Sequence, residues 1–184
     1  MGKQFYIADL HYDHANVIAF DNRPFKTVNE MNEALVERWN KVVSDDDIVY
    51  VLGDMFWCHW KDALAVMDRL HGKKVLIKGN HDRCNTSEFT KKFSKVVDYL
   101  EVKDNDRNVV LCHYPIPCFK NHFYGWIHLY GHVHNSFESN MMEHTKYLME
   151  ELYTKPCKMF NVGAMMPYMN FTPRTLDEIL LNAQ

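Results

Sequence analysis

The chain has 184 residues, 47% hydrophobic and 24% charged, the profile of a soluble globular protein long enough to bury a core. Its 21 Lys and Arg against 24 Asp and Glu leave a formal charge of −3, which excludes the basic field that attracts nucleic acid non-specifically. Eleven histidines are many for this length and lean toward metal chemistry.

The N-terminal residues, with the β-rich segment Lys3–Ala8, run straight into Asp9-Leu10-His11 and leave no room for a secretory h-region, so no leader is expected. No apolar stretch approaches the ~20 residues that a membrane span needs. The first strand ends at Asp9-Leu10-His11. Thr27-Val28-Asn29-Glu30 is a capping box opening a helix to about Val43, with Met31, Leu35, Trp39 and Val42 on one face. Asp47–Leu52 is a second strand, ending at Gly53-Asp54. Trp60–Leu70 reads as helix, and Lys73–Lys78 as a third strand that ends at Gly79-Asn80-His81-Asp82. This alternation implies right-handed crossovers and a parallel sheet.

The second half reads as strands with short connections: Val96–Lys103, Asn108–Cys112 and Trp126–Tyr130, the last two leading into His113 and Gly131-His132-Val133-His134. Met141, Thr145, Leu148 and Leu152 then mark an amphipathic helix. Its apolar face either packs on the domain or serves as a dimer contact or lid. Lys158–Val162 is a further strand, and Thr175-Leu176-Asp177-Glu178 caps a C-terminal helix.

Asp9, His11, Asp54, Asn80, His113, His132 and His134 all fall just past the carboxyl end of an expected strand, where open α/β sheets hold their ligands. Three oxygen donors and four imidazoles suffice for two divalent ions roughly 4 Å apart. Magnesium prefers an all-oxygen shell, whereas this mixture suits Mn, Fe, Co, Ni or Zn, manganese favoured. Gly53, Gly79 and Gly131 let the backbone turn sharply and aim the next side chain. Taken singly, each piece is common; an Asp-x-His or His-x-His turns up in many proteins.

The ordered set is different. Asp9-x-His11, Gly53-Asp54, Gly79-Asn80-His81-Asp82, His113 and Gly131-His132-x-His134 resemble the signature of the calcineurin-like metallophosphoesterases, with every position filled. The resemblance implies one α/β domain over residues 1–184, a two-sheet sandwich flanked by helices on both sides. It implies a dimetal-dependent phosphoester hydrolase in which Asp9, His11, Asp54 and His134 hold one ion. Asp54, Asn80, His113 and His132 hold the other, with Asp54 bridging and a metal-bridging hydroxide as nucleophile. His81 is implied as the general acid on the leaving group, its ring oriented by Asp82. The His-Asp dipeptide also occurs in all-helical HD phosphohydrolases, but here it follows a strand. A non-catalytic scaffold of the same fold, like the vacuolar-sorting member of retromer, is the rival from another class, and a nuclease is a third reading weakened by the negative charge.

Around this set, Arg23 either grips a phosphate or pairs with an acidic side chain on the surface. His14 and His122 are candidates for lining the substrate pocket; His128 packs within its strand, and His59, His71 and His144 are expected on the surface. One strong cation is thin provision for a dianion, which favours a diester over a monoester. The expected substrate is a small-molecule phosphoester, with nucleic acid disfavoured, no membrane, and a monomer or homodimer in the cytoplasm. Cys58, Cys84, Cys112, Cys118 and Cys157 are odd in number and lack a C-x-x-C pair, so reduced thiols are expected. In that setting the sequons at Asn85 and Asn170 carry no glycan.

Overall fold

The computed structural model describes residues 2–83 and 86–183, so Cys84 and the sequon at Asn85 lie outside the described residues. β1 (Gln4–Ile7), β2 (Ile48–Val51) and β3 (Lys73–Ile77) pair in parallel, Phe5 opposite Val49 and Tyr50 opposite Val75. Between them run α1 (Ala15–Phe20), α2 (Val28–Val42) and α3 (Trp60–Met67). The Thr27 hydroxyl accepts from the Glu30 N–H at the start of α2, but the Glu30 carboxylate turns to the Lys26 N–H at 2.8 Å instead of the Thr27 N–H, so only half of the expected capping box forms; the helix buries Met31, Leu35, Val36 and Trp39. The short α4 (Ser87–Thr90) leads to β4 (Lys95–Val97), which pairs with β3 at the sheet edge.

β5 (Tyr99–Asp104) and β6 (Arg107–Cys112) form a hairpin; β7 (Ile127–Tyr130) and, after α5 (Phe137–Tyr153), β8 (Met159–Asn161) extend that second sheet in parallel with β6. β9 (Arg174–Thr175) returns to pair antiparallel with β1, and α6 (Leu176–Asn182) starts on the expected Thr175–Glu178 capping box. The sheets therefore run β4-β3-β2-β1-β9 and β5-β6-β7-β8. Residues 96–103, read from the sequence as one strand, are broken at Asp98 into β4 and β5, which belong to different sheets. Asp98 marks the crossing and pairs with Lys78 Nζ at 2.7 Å. An alternating apolar pattern looks the same whether or not the chain changes sheets midway.

Val49, Val51 and Leu76 of the first sheet share one apolar cluster with Val109, Leu111, Ile127 and Leu129 of the second, so the sheets pack face to face. Leu35 and Trp39 of α2, Met67 of α3 and Ile179 of α6 join that cluster. The opposite face of the second sheet sends Val110, Tyr130 and Met159 into a separate cluster with Met149 of α5. Helices thus lie outside both sheets. None of the described helices is long and apolar enough to cross a membrane. Cys58, Cys112, Cys118 and Cys157 are free thiols.

α5 departs from its sequence reading. Its inward residues are Ser139, Met149 and, in part, Met142, while Met141, Leu148 and Leu152 are 50%, 43% and 78% exposed. The small outer cluster needs only one narrow stripe of the helix, and the apolar residues one position away from it remain in solvent.

His128 is buried on β7 as a structural residue. Its Nδ1–H donates to the Val110 carbonyl at 3.1 Å, and its Nε2 accepts from the Ile116 N–H at 3.1 Å, an arrangement only the neutral ring satisfies. Burial lowers its pKa to about 4. Between there and the ordinary value near 6.5, the unfolded chain binds the proton and the native chain does not. Its stabilising contribution is therefore full above about pH 6.5 and is lost as pH falls toward 4, on the order of 3 kcal/mol in all. Chemical denaturation of His128→Gln at pH 7 and pH 5 should show less acid destabilisation than the parent. An equal pH dependence would remove His128 as its source.

Candidate metal centre

Parallel neighbours end at the same edge of a sheet, so the turns after β1, β2 and β3 lie side by side. Asp9 N–H donates to the Gly53 carbonyl and His11 N–H to the Asp54 carbonyl, both at 3.0 Å. The second sheet meets this edge where Ala8 N–H donates to Val162 O and Ala164 N–H to Ala8 O, both at 2.8 Å. The carboxyl ends of both sheets thereby converge on one place.

The backbone there is strained. Asp9, His11, Asp54, His132 and His134 have φ of 54°, 53°, 51°, 70° and 49°, the left-handed region that L-residues seldom occupy. Gly53 alone among the three turn glycines needs its positive φ, 87°. Gly79 and Gly131 serve space instead: a Cβ on either would run into the Asp54 or Asp9 carboxylate respectively. These glycines keep the backbone close beneath the acids rather than merely turning it.

All seven expected ligand residues come together. His11 Nε2 lies 3.2 Å from His134 Nε2, and His134 Nε2 lies 3.8 Å from Asp9 Oδ1. On the other side, His113 Nε2 and His132 Nδ1 each stand 3.0 Å from Asn80 Oδ1. Asp54 Oδ2 lies between, 4.0 Å from His11 Nε2 and 3.6 Å from His113 Nε2. Donor atoms of Asp9, His11 and His134 fall within 4.8 Å of one another, as do those of Asp9, Asp54 and His113.

The chemistry of these donors fits cations. His113 Nδ1–H donates to the Leu52 carbonyl at 2.8 Å, so its Nε2 carries a lone pair aimed at two oxygen acceptors, Asn80 Oδ1 and Asp54 Oδ2. His134 Nδ1–H likewise donates to Asp21 Oδ1 at 2.7 Å, leaving the Nε2 lone pair to face His11 and Asp9. Lone pairs pointed at acceptor oxygens call for a positive charge between them. Burial lowers His11 to about 2, His113 to about 4 and His132 below its usual range, so these rings are neutral, the ligand form. Burial, aided by the Asp54 charge, pushes Asp9 up to about 7, and burial likewise raises Asp54. Burial opposes charge on His134, but its hydrogen bond to Asp21 and the Asp9 carboxylate outweigh it and raise its pKa.

Asp21 and the Leu52 carbonyl are the outer partners that sequence reasoning did not find. Nothing in the spacing distinguishes Asp21 from Asp13, and a carbonyl has no sequence signature. Asp82 has a different task from the expected one: it does not meet the His81 ring. Its carboxylate accepts the N–H groups of Asp54 (2.8 Å), Met55 (3.0 Å) and Gly79 (2.8 Å), clamping the turns after β2 and β3. The His81 N–H in turn donates to Asp54 Oδ1 at 2.9 Å, and its half-open ring stands with Nε2 3.9 Å from Asp54 Oδ2.

Arg23 takes the second of its two expected roles, pairing with an acidic side chain, but inside the fold rather than on the surface. It is only 4% exposed, and its guanidinium donates to Leu10 O (2.8 Å), Asp9 O (2.9 Å) and the Asp21 carboxylate (2.9 Å). It thereby ties the Asp9–His11 turn to the residue that orients His134. Arg23→Ala should cost about 3–5 kcal/mol of stability, because it strands a buried carboxylate. In denaturant melts and steady-state assays, that loss should come with weakened metal retention and little change in KM. A raised KM at full stability would return Arg23 to a substrate role.

His122 is not at the centre either: it is buried in a 3-10 turn at His122–Tyr124, against Phe119, Phe123 and Tyr153. His14 is at the rim, its ring stacked on Trp57 at 4.1 Å and 5.4 Å from the His11 ring. Trp57, which sequence reasoning passed over, also approaches the His81 ring at 4.5 Å.

Known proteins resemble this chain in sequence and in fold. A family model described as calcineurin-like phosphoesterase matches residues 5–155. An uncharacterized protein of Methanocaldococcus jannaschii is 36% identical over 182 residues, 98% of this chain and 90% of the relative. The Gene 66 protein of Mycobacterium phage D29 is 27% identical over 80% of this chain and 86% of its own length. The crystal structure of a protein of unknown function from Aquifex aeolicus superposes with a TM-score of 0.73 at 21% identity, over 98% of this chain and 99% of that one.

Proposed function

This chain belongs to the calcineurin-like phosphoesterase family, and on that premise we propose that it is a dimetal-dependent phosphodiesterase. The observation that carries the reading is the Asp54 carboxylate, whose Oδ2 stands between His11 Nε2 at 4.0 Å and His113 Nε2 at 3.6 Å, one from each group of candidate ligands. Asp9, His11, Asp54 and His134 would hold one ion of the Mn, Fe, Co, Ni or Zn class, and Asp54, Asn80, His113 and His132 the second. When bound, such ions supply Lewis-acid polarisation of phosphoryl oxygens and activation of water.

The chain supplies the rest. Asp21 and the Leu52 carbonyl lock the tautomers of His134 and His113, and Asp82 fixes the peptide units on either side of the centre. His81 is 40% exposed at its side chain and stands outside the ligand cluster, where it holds a proton for the departing oxygen.

The surroundings support a diester. A cavity of about 570 Å³ opens beside His81, and another of about 330 Å³ beside His132, walled by Tyr114, Val133 and Met141. A diester has two substituents to place and a monoester one. Arg23 is buried, which leaves Arg83 in the wall of the cavity beside His81 as the arginine near the centre, a single cation for a dianion. Bis-aryl phosphate should accordingly be hydrolysed faster than the matching mono-aryl phosphate, and a chelator should abolish both activities. A preference for the monoester would overturn the diester reading; absence of turnover with either, on metal-loaded protein, would favour the non-catalytic scaffold.

A further inference from the structure

We propose that the cavity beside His81 is a subsite for a nucleoside, bound as the leaving group of the phosphodiester. Its orientation relative to the reacting phosphorus rests on the phosphodiesterase reading; its affinity for a nucleoside does not.

The cavity is walled by Phe56, Trp57, Trp60 and Phe89, with His59 and Arg83 among them. Trp57 remains 46% exposed although it sits next to a polar centre, a costly place to leave an indole in water unless a ligand covers it. It is also held still: the His14 ring lies flat against it, 10° from parallel, and the His81 ring closes on it from the side. A fixed aromatic plane with open surface is what base stacking needs. Trp60 offers a second indole, with Lys61 Nζ 5.6 Å from its ring centroid.

The wall is not purely apolar. His59, Arg83 and Thr86 interrupt the aromatics, and Arg83 has no hydrogen bond or ion pair among the described residues. A hydrocarbon group would desolvate these side chains without return, whereas a base offers hydrogen-bonding edges along with its π face. The volume of about 570 Å³ admits a nucleoside with accompanying water. The chain carries net charge −3, and the far cavity, lined by Tyr114, Met141 and Glu138, has no Lys or Arg in its wall to meet the next phosphate of a strand. The fit is to a nucleotide-sized ligand rather than a polymer.

In the reaction so oriented, water adds to phosphorus and the bond from phosphorus to the nucleoside oxygen breaks. That oxygen takes its proton from His81, which regains one from the water. The products are a phosphomonoester and a free nucleoside.

Calorimetric titration of chelator-treated protein with adenosine tests the subsite without requiring turnover. Saturable binding is expected, weakened roughly 5- to 100-fold in Trp57→Leu, the range one stacked base commands. Absence of binding, binding unchanged in Trp57→Leu, or tighter binding of a single-stranded dodecamer than of a dinucleoside monophosphate would overturn the proposal. Bis-aryl phosphate turnover without adenosine binding sinks the subsite alone. Adenosine binding lost in Trp57→Leu, on metal-loaded protein that hydrolyses no diester, leaves the subsite standing and sinks the phosphodiesterase reading.

Discussion

Asp54→Asn is expected to empty both metal positions and abolish turnover, the largest effect of any single change in this chain. Losing an outer-shell partner alone typically weakens metal affinity about 10–100-fold. Asp54 is placed to serve both ions directly, so its loss should exceed that range at each. The replacement also works against the cation in a second way. The amide can keep its oxygen toward the His81 N–H, as Asp54 Oδ1 does at 2.9 Å, and then turns its NH₂ toward His11 and His113. Its donors would quench the lone pairs that the ions require. The same change should make the metal-free protein no less stable, because burial holds the Asp54 carboxylate above its usual pKa and removing the charge relieves that cost. Elemental analysis and chelator-treated melts give the check: two tightly retained ions in the mutant would remove Asp54 from the bridge.

His81→Ala should have the opposite signature, intact metal content with kcat reduced by about 10²–10⁴-fold. The His81 ring meets the centre only at 3.9 Å from Asp54 Oδ2, outside the two histidine pairs. Asn80 is placed by His113 and His132, and the turn by Asp82, so the alanine should leave the ligand set in position. The deficit should shrink with aryl leaving groups of low pKa, which depart without a proton. A deficit equal for good and poor leaving groups would mean that His81 stabilises the transferring phosphoryl group rather than protonating the leaving oxygen.

The parts legible in the sequence are those encoded by neighbouring residues. Strand periods, the Thr27 and Thr175 caps and the Gly53 turn depend on a few adjacent side chains, and the structure reproduces them to within a few residues. The grouping of Asp9, Asp54 and Asn80 at one edge, and of His113 and His132 at another, follows too, since parallel strands that pair must end together; that the two edges meet was decided by folding, through the Ala8 hydrogen bonds to Val162 and Ala164. Folding alone decided which groups satisfy one another across the chain. Asp21 reaches His134 over 113 residues, Asp82 clamps backbone 28 residues away, and Arg23 turns inward to the carbonyls of Asp9 and Leu10. The break at Asp98, the exposed face of α5 and the Trp57 wall belong to the same class. A periodic pattern records that a side chain is apolar or charged, but a buried polar atom must find its partner in three dimensions, and the desolvation cost of leaving it without one selects that partner from the whole chain.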